Sequence, residues 1–421
     1  MTLQIVSMAV LVAAFVLATL RPLNLGAIAL VGTFAIGSLA AGLPADETFA
    51  GFPADLLVVL VGVTYLFNVA RANGTVDWLV AGAVRLVRGR TIWVPWIMFG
   101  TAAMLSGIGA VYAVAFMAPI ALGFAVRNRI PQFLMGLMII HGWGAGALSP
   151  ISVYGVIVDG VMVRSGLPSD RTAVFAAGLA ANVVAAAVVF TVLGGLRLRS
   201  RVAVHAGGPA PEGDASTGPP AAPPFTLEVG LTVAAIIALV VGAIAGLDIG
   251  LLGVTLAIAL GLRNARHHRE AVAAIPWPVV LLVCGVLTYV GVLERIGTID
   301  FIGGAVTAIG LPLVAALVLA YIGALVSAFA TSSGVLAALI PLAVPLLDTS
   351  SLAPVAVVAA LAVAATIVDV SPFSTNGAIV VANTTADERD AMLRNLLVYG
   401  GVVVLVAPLV LWAALVVPSG G

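Results

Sequence analysis

Residues 149–158 read SPISVYGVIV, and residues 371–380 read SPFSTNGAIV. Ser, Pro, Ser, Gly, Ile and Val recur in register, 222 positions apart. Three further landmarks keep nearly the same offset. GVTYLFNVARANGTVDWL at 62–79 matches GVLTYVGVLERIGTIDFI at 285–302, Pro53 matches Pro276, and Pro119 matches Pro341. A chain of 421 residues with one period of this length is a duplication, and the period sets how the rest is read.

The medium in which the duplication folds follows from composition. Only 9% of the residues are charged and 62% are hydrophobic, with a mean hydropathy of +1.22. A soluble domain carries roughly 25% charged residues, so this chain belongs in lipid. The formal net charge of zero leaves no basic footprint for nucleic acid, and the single Cys284 makes neither an intramolecular disulfide nor a thiolate metal cage. No cofactor is expected, and no metal ligand is assigned.

Apolar runs near 3–20, 24–42, 54–71, 134–160, 172–196, 226–246, 249–262, 277–293, 354–382 and 393–417 predict ten spans. Two more, 92–127 and 311–347, are interrupted midway by Ser106, Gly107 and Gly109 and by Thr331, Ser332, Ser333 and Gly334, and read as re-entrant hairpins. Residues 205–224 are half Pro and Gly, a flexible linker. The expected organisation is a first repeat at 1–198, a linker at 199–225 and a second repeat at 226–421. The fold class is an all-α polytopic membrane protein in which each repeat holds five spans and one hairpin. An odd span count turns the second copy over, which is the inverted-repeat pattern of secondary transporters.

With both hairpins returning to the side they leave, 15 of the 18 Arg fall on one side. The excess of basic charge marks the cytoplasm, so both termini are expected outside and the linker inside, in the plasma (inner) membrane. Short amphipathic stretches at 76–90 and 299–310 are expected to lie in plane, each between a span and its hairpin.

Pro150 and Pro372 fall inside spans, where Pro removes a hydrogen bond and clashes with the preceding turn. Broken backbone is tolerated at membrane depth only under protein or beside a water-filled cavity. Ser149 and Ser152 in one break, and Ser371, Ser374, Thr375 and Asn376 in the other, supply hydroxyl and amide donors. With the hairpin tips (Ser106 and Gly109; Thr331, Ser332 and Ser333) they are expected to converge on one substrate site, where half-helix N-termini favour an anion. Asp369 is the one carboxylate well inside a span. Burying it is expensive, so it is a candidate for coupling a proton or cation, together with the tip glycines Gly107 and Gly334. Alternatively, Asp369 caps the half-helix beginning near Ser371. His141, beside Trp143, reads as a packing residue ahead of a proton relay. No Arg lies inside the membrane, so an anion would be held by helix ends, hydroxyls and a coupled cation.

These elements in this order resemble the ion transporter superfamily. More narrowly, GFPADLLVVLVGVTYLFNVARANGTVDWL (51–79) and MGLMIIHGWGAGALSPISVYG (135–155) resemble the MatC-type malonate and dicarboxylate carriers. The resemblance implies a homodimeric, sodium- or proton-coupled carrier of a small carboxylate such as malonate or succinate. It also implies an elevator motion of hairpins and broken spans against spans 1–3 and 6–8. Where sodium-coupled dicarboxylate symporters of the superfamily carry Ser-Asn-Thr at both tips, this chain has Ser-Gly-Ile-Gly and Thr-Ser-Ser, which raises the standing of the proton. A sodium/proton antiporter or another anion permease of the superfamily is the alternative function. An intramembrane enzyme would need a paired acid or a Ser–His constellation, and neither is evident.

Overall fold

The computed structural model describes residues 2–21, 23–85, 91–200, 224–299, 301, 311–329 and 331–420, and among these every regular element is helical. Most of the expected linker lies outside the described residues, as do 86–90 of the first in-plane stretch and 300 and 302–310 of the second. The first stretch begins with α5, Thr75–Arg85.

Seven of the described helices are long and apolar enough to cross a membrane, counting each helix together with its continuation. They include α1 (Thr2–Leu20), α4 (Ala54–Ala72), α10 (Arg171–Val192), α11 (Leu227–Ile244) and α14 (Trp277–Arg295). The other two are Pro354–Asn383, which is interrupted, and the terminal helix α19 (Arg389–Leu411) with its continuation to Ser419. The remaining three expected spans are shorter or divided. Helix α2 (Leu25–Gly32) runs on as π-helical turns to Ala40, α12 (Ile249–Gly261) has 13 residues, and the 134–160 run splits at Pro150. A short α3 (Ala45–Thr48) precedes α4, and α13 (Ala265–Ala273) joins α12 to α14.

Both interrupted segments form helical hairpins. Helices α6 (Val94–Gly107) and α7 (Ala113–Arg127) make the first, and α15 (Pro312–Ser327) and α16 (Ser332–Asp348) the second. Both Pro-containing spans are broken. The first gives α8 (Gln132–Ala147) and α9 (Val153–Arg164); the second gives α17 (Pro354–Ile367), a 3-10 turn at Val368–Val370, and α18 (Thr375–Asn383). The chain is thus a polytopic helical membrane protein.

Burial separates two classes of helix. Every residue of α8 from Leu134 to Ala147 is buried, as is α17 from Val357 onward, and a helix apolar all round belongs in the interior. Helices α1, α11 and α19 instead keep most of their apolar side chains exposed, as a lipid-facing shell does. Helices α6 and α10 flank α8, α15 packs on α17, α7 on α18, and α9 on α16.

A second set of contacts pairs α4 with α12 and α14 with α2, each through glycine. A Cβ on Gly62 would stand 2.2 Å from the Gly250 carbonyl oxygen, and one on Gly285 would stand 2.1 Å from that of Gly26. Without hydrophobic drive between helices in lipid, close backbone approach of this kind supplies the packing. It produces two tight crossings, one reaching broken-span helix α9 through α4 and the other reaching hairpin helix α16 through α14.

Candidate functional site

The two breaks are built alike. In each, helix ends, Pro turns the chain, and Ser opens the next helix. Ser152 Oγ accepts the Gly155 N–H at 3.1 Å and Ser374 Oγ accepts the Gly377 N–H at 3.2 Å, satisfying a donor that a helix start leaves free. Each hydroxyl also points back to carbonyls of the turn: Ser152 to Ala147 and Ser149, Ser374 to Asp369 (2.6 Å) and Ser371 (2.7 Å). Gly155 and Gly377 are required because a Cβ on either would stand 2.0 Å from the carbonyl of Ser149 or Ser371.

Their surroundings differ. At the first break the Ser149 hydroxyl donates to the Gly107 carbonyl at 2.7 Å, joining the break to the first hairpin tip. At the second, Asp369 is buried and its carboxyl meets both the other hairpin and the following half-helix. Oδ1 lies 3.0 Å from Ser332 Oγ, and Oδ2 accepts from Asn376 Nδ2 at 3.4 Å. Ser374, and not Asp369, supplies the side-chain cap of α18.

Asp369 borders a chamber of about 60 Å³ lined also by Tyr112, Trp143, Tyr154, Thr331, Ser332, Ser333, Thr375 and Asn376. Tyr112, Val279, Thr331 and Thr375 are shared with a wider space of about 260 Å³ between this region and α1, α2 and α14. There Phe329 and Phe373 stack with ring centroids 5.6 Å apart. The N-termini of α16 and α18 both meet the inner chamber, through Thr331–Ser333 and Thr375–Asn376. Thr331 opens α16 without a side-chain cap bond. Among the described residues the lining contains no basic side chain, so the positive ends of two helices are its anion-attracting feature. Among the described residues no cluster of His, Cys, Asp and Glu is disposed to hold a metal ion.

Of the residues singled out from sequence, Thr331, Ser332, Ser333, Asp369, Thr375 and Asn376 line the inner chamber and Ser374 the outer space. Ser106, Gly107, Gly109, Ser149, Ser152, Gly334 and Ser371 line neither. Ser106 and Gly107 end α6, and Gly109 makes the tip turn at φ +106° against Val63. Ser371 Oγ accepts the Phe373 N–H at 3.3 Å, and Gly334 packs on Leu25 and Leu282.

His141 is held on both ring nitrogens, Nδ1 by Asn182 Oδ1 (3.1 Å) and Nε2 by the Tyr399 hydroxyl (2.7 Å). This buried network staples α8, α10 and α19 together. Sequence reasoning missed Tyr112, Tyr154 and Trp143 as lining residues. Tyr154 stands 222 positions before Asn376, so the repeat itself could have indicated it. Trp143 donates to the Val111 carbonyl at 3.2 Å and meets Tyr154 edge-on, which fixes the first tip beside the chamber.

The buried polar chamber is thus reached from between helices. Two comparisons with known proteins point to a membrane transporter rather than an enzyme. Residues 1–147 match the family model described as the dicarboxylate carrier protein MatC N-terminus, so the resemblance read from sequence holds over that stretch. The crystal structure of the Alcanivorax borkumensis YdaH transporter, described as having an unusual topology, is similar in fold. It has a TM-score of 0.61 at 16% identity, covering 88% of this chain and 87% of that one. No curated protein matches.

Proposed function

We propose that the protein carries a small dicarboxylate, such as malonate or succinate, across the plasma membrane by cation-coupled symport. The observation that carries this reading is the inner chamber: hydroxyl and amide groups at two helix N-termini, a buried carboxyl, and no fixed positive side chain. Helix ends and hydroxyls favour an anion, while a buried acid at membrane depth is expensive and therefore functional by default. The MatC match over residues 1–147 supports the dicarboxylate class.

The two halves act, in this reading, as inverted repeats. Support comes from contacts that exchange under the 222–224 offset: α4 on α12 mirrors α14 on α2, and α7 on α18 mirrors α16 on α9. The glycine crossings obey the same exchange, Gly62 with Gly250 and Gly285 with Gly26. We further propose an elevator motion, in a homodimer, of the hairpins and broken spans against α1, α2, α4, α11, α12 and α14. The wider space beside the chamber, which lies between these two groups of helices, supports it.

The test is uptake of labelled malonate and succinate into proteoliposomes under separately imposed proton and sodium gradients. Accumulation above equilibrium under one gradient is expected. If neither gradient concentrates any small dicarboxylate, the proposal fails.

A further inference from the structure

The space around the site falls into two compartments of opposite character. The inner chamber, of about 60 Å³, takes in Thr331, Ser332, Ser333, Thr375 and Asn376 at the starts of α16 and α18. The outer space, of about 260 Å³, is walled chiefly by Phe15, Leu23, Leu25, Leu282, Phe329 and Phe373. Tyr112, Val279, Thr331 and Thr375 border both, so the two adjoin.

Among the described residues, the polar side chains that border only the outer space are already engaged. Thr19 donates to the Phe15 carbonyl at 2.8 Å. Asn24 donates to the Pro278 carbonyl at 2.8 Å and takes the Gly26 and Ala27 N–H groups on its oxygen, while Ser374 is turned into the break as the cap of α18. A carboxylate placed there would exchange water for apolar walls without gaining a donor, and an uncompensated charge is the costliest group to bury. Among the described residues neither lining holds a basic side chain to offset that cost. Negative charge therefore belongs at the inner end, where two helix starts face the chamber.

The outer wall has a feature of its own. Phe329, at the second tip, and Phe373, in the second break, stack with ring planes 22° apart, yet they remain 52% and 59% exposed. The first break has Ile151 at the position equivalent to Phe373, and there the side chain is buried. The shared Pro turn thus does not need a ring at this place. The second copy instead presents one to the space beside the chamber and pairs it with a ring from the tip. An uncovered aromatic pair adjoining a polar site is a surface for the apolar part of a ligand.

We propose that the ligand is a carboxylate with its charge at one end and an apolar group at the other, and that Phe329 and Phe373 select for that group. The inference deepens the carrier reading above and rests on it. Within the dicarboxylate class it describes a malonate bearing an alkyl or aryl group on its central carbon, carboxylates towards the inner chamber and substituent against the two rings. Succinate, with a carboxylate at each end, fits less well because one of them is turned towards the apolar wall.

Calorimetric titration of the purified full-length protein with malonate, benzylmalonate, succinate and 3-phenylpropanoate tests this without reference to transport. Benzylmalonate is expected to bind at least about tenfold tighter than malonate, since each buried methylene is worth about fourfold. Succinate should bind several-fold more weakly than malonate. Phe373→Ala should remove most of the benzyl advantage and leave malonate affinity within about twofold of wild type. Should that variant not fold, Phe373→Ile, which installs the residue of the first break, gives the same readout. A benzyl group that adds nothing, or whose advantage survives the loss of the Phe373 ring, overturns the inference, as does succinate binding as tightly as malonate; in each case malonate binding leaves the carrier reading standing. 3-Phenylpropanoate is benzylmalonate less one carboxylate. If it binds as tightly as benzylmalonate, the apolar subsite stands and the dicarboxylate reading falls. If none of the four binds, the carrier reading fails and takes the inference with it.

Discussion

The two breaks share a frame and differ in what fills it. From Ser149 to Val158 and from Ser371 to Val380 the chain makes the same Pro turn, the same Ser cap and the same glycine contact with a carbonyl. Yet Ala147 stands at the first break where the second has Asp369, and the Ser149 hydroxyl is spent on the Gly107 carbonyl. Backbone geometry has been kept in both copies while polar chemistry has concentrated in one. The first break, with Trp143 and Tyr154, supplies a wall; the second supplies the acid, the amide and the Thr375 hydroxyl, and the second hairpin tip adds those of Thr331, Ser332 and Ser333.

If the frame is common, damaging it should cost alike on both sides. Gly155→Ala and Gly377→Ala each push a methyl into a carbonyl oxygen, and the chain must move to admit it. Each is expected to lower stability by about 3 kcal/mol or more, read as loss of monodisperse protein on size exclusion and a lower unfolding temperature. A large effect at one glycine and none at the other would break the symmetry argument.

If the chemistry is one-sided, Asp369→Asn should abolish gradient-driven accumulation while the protein still folds. Asparagine keeps the volume and can still accept from Ser332, but it cannot take up or release a proton. Uptake under an imposed proton gradient should fall to the level of passive exchange. Accumulation that survives the change would remove Asp369 from the coupling mechanism.

Chamber residues at equivalent positions sharpen the contrast further. Asn376→Ala removes a donor at the α18 N-terminus and frees one oxygen of Asp369, and should weaken substrate binding about tenfold. Tyr154→Phe, at the matching place in the first repeat, removes a hydroxyl and keeps the wall; about a threefold effect is expected. Substrate-dependent thermal shifts of the two variants measure both, and a reversed order would relocate the binding face.

Much of the frame was legible because its causes are local. Pro150 and Pro372 had to break their helices, small residues had to mark the hairpin turns, and a 222-residue echo had to mean two similar units. Asp369 was visible as an acid in an apolar run, but its choice between capping a helix and facing a chamber depended on Ser374, which takes the cap. Of the chamber's aromatic wall only Tyr154, which the repeat sets opposite Asn376, could have been read. Tyr112 and Trp143 look like ordinary apolar filling until the first tip folds over them, and their placement depends on contacts between distant segments.

The smallest expected effect is the most discriminating about what the first break is for. Ser152→Ala and Ser374→Ala remove equivalent caps and should each cost about 1 kcal/mol of stability. Ser149→Ala removes the link from break to tip and the acceptor of the Ile151 N–H, also about 1 kcal/mol. Because Ser149 does not line the chamber, its loss should leave the substrate concentration for half-maximal uptake within about twofold of wild type. Ser374 borders the outer space, so Ser374→Ala should raise that concentration as well as lower stability. Ser149→Ala that leaves the unfolding temperature alone but raises the half-maximal concentration would mean the first break binds substrate in another conformation. The division between a wall and a chemical side would then be a property of this one state.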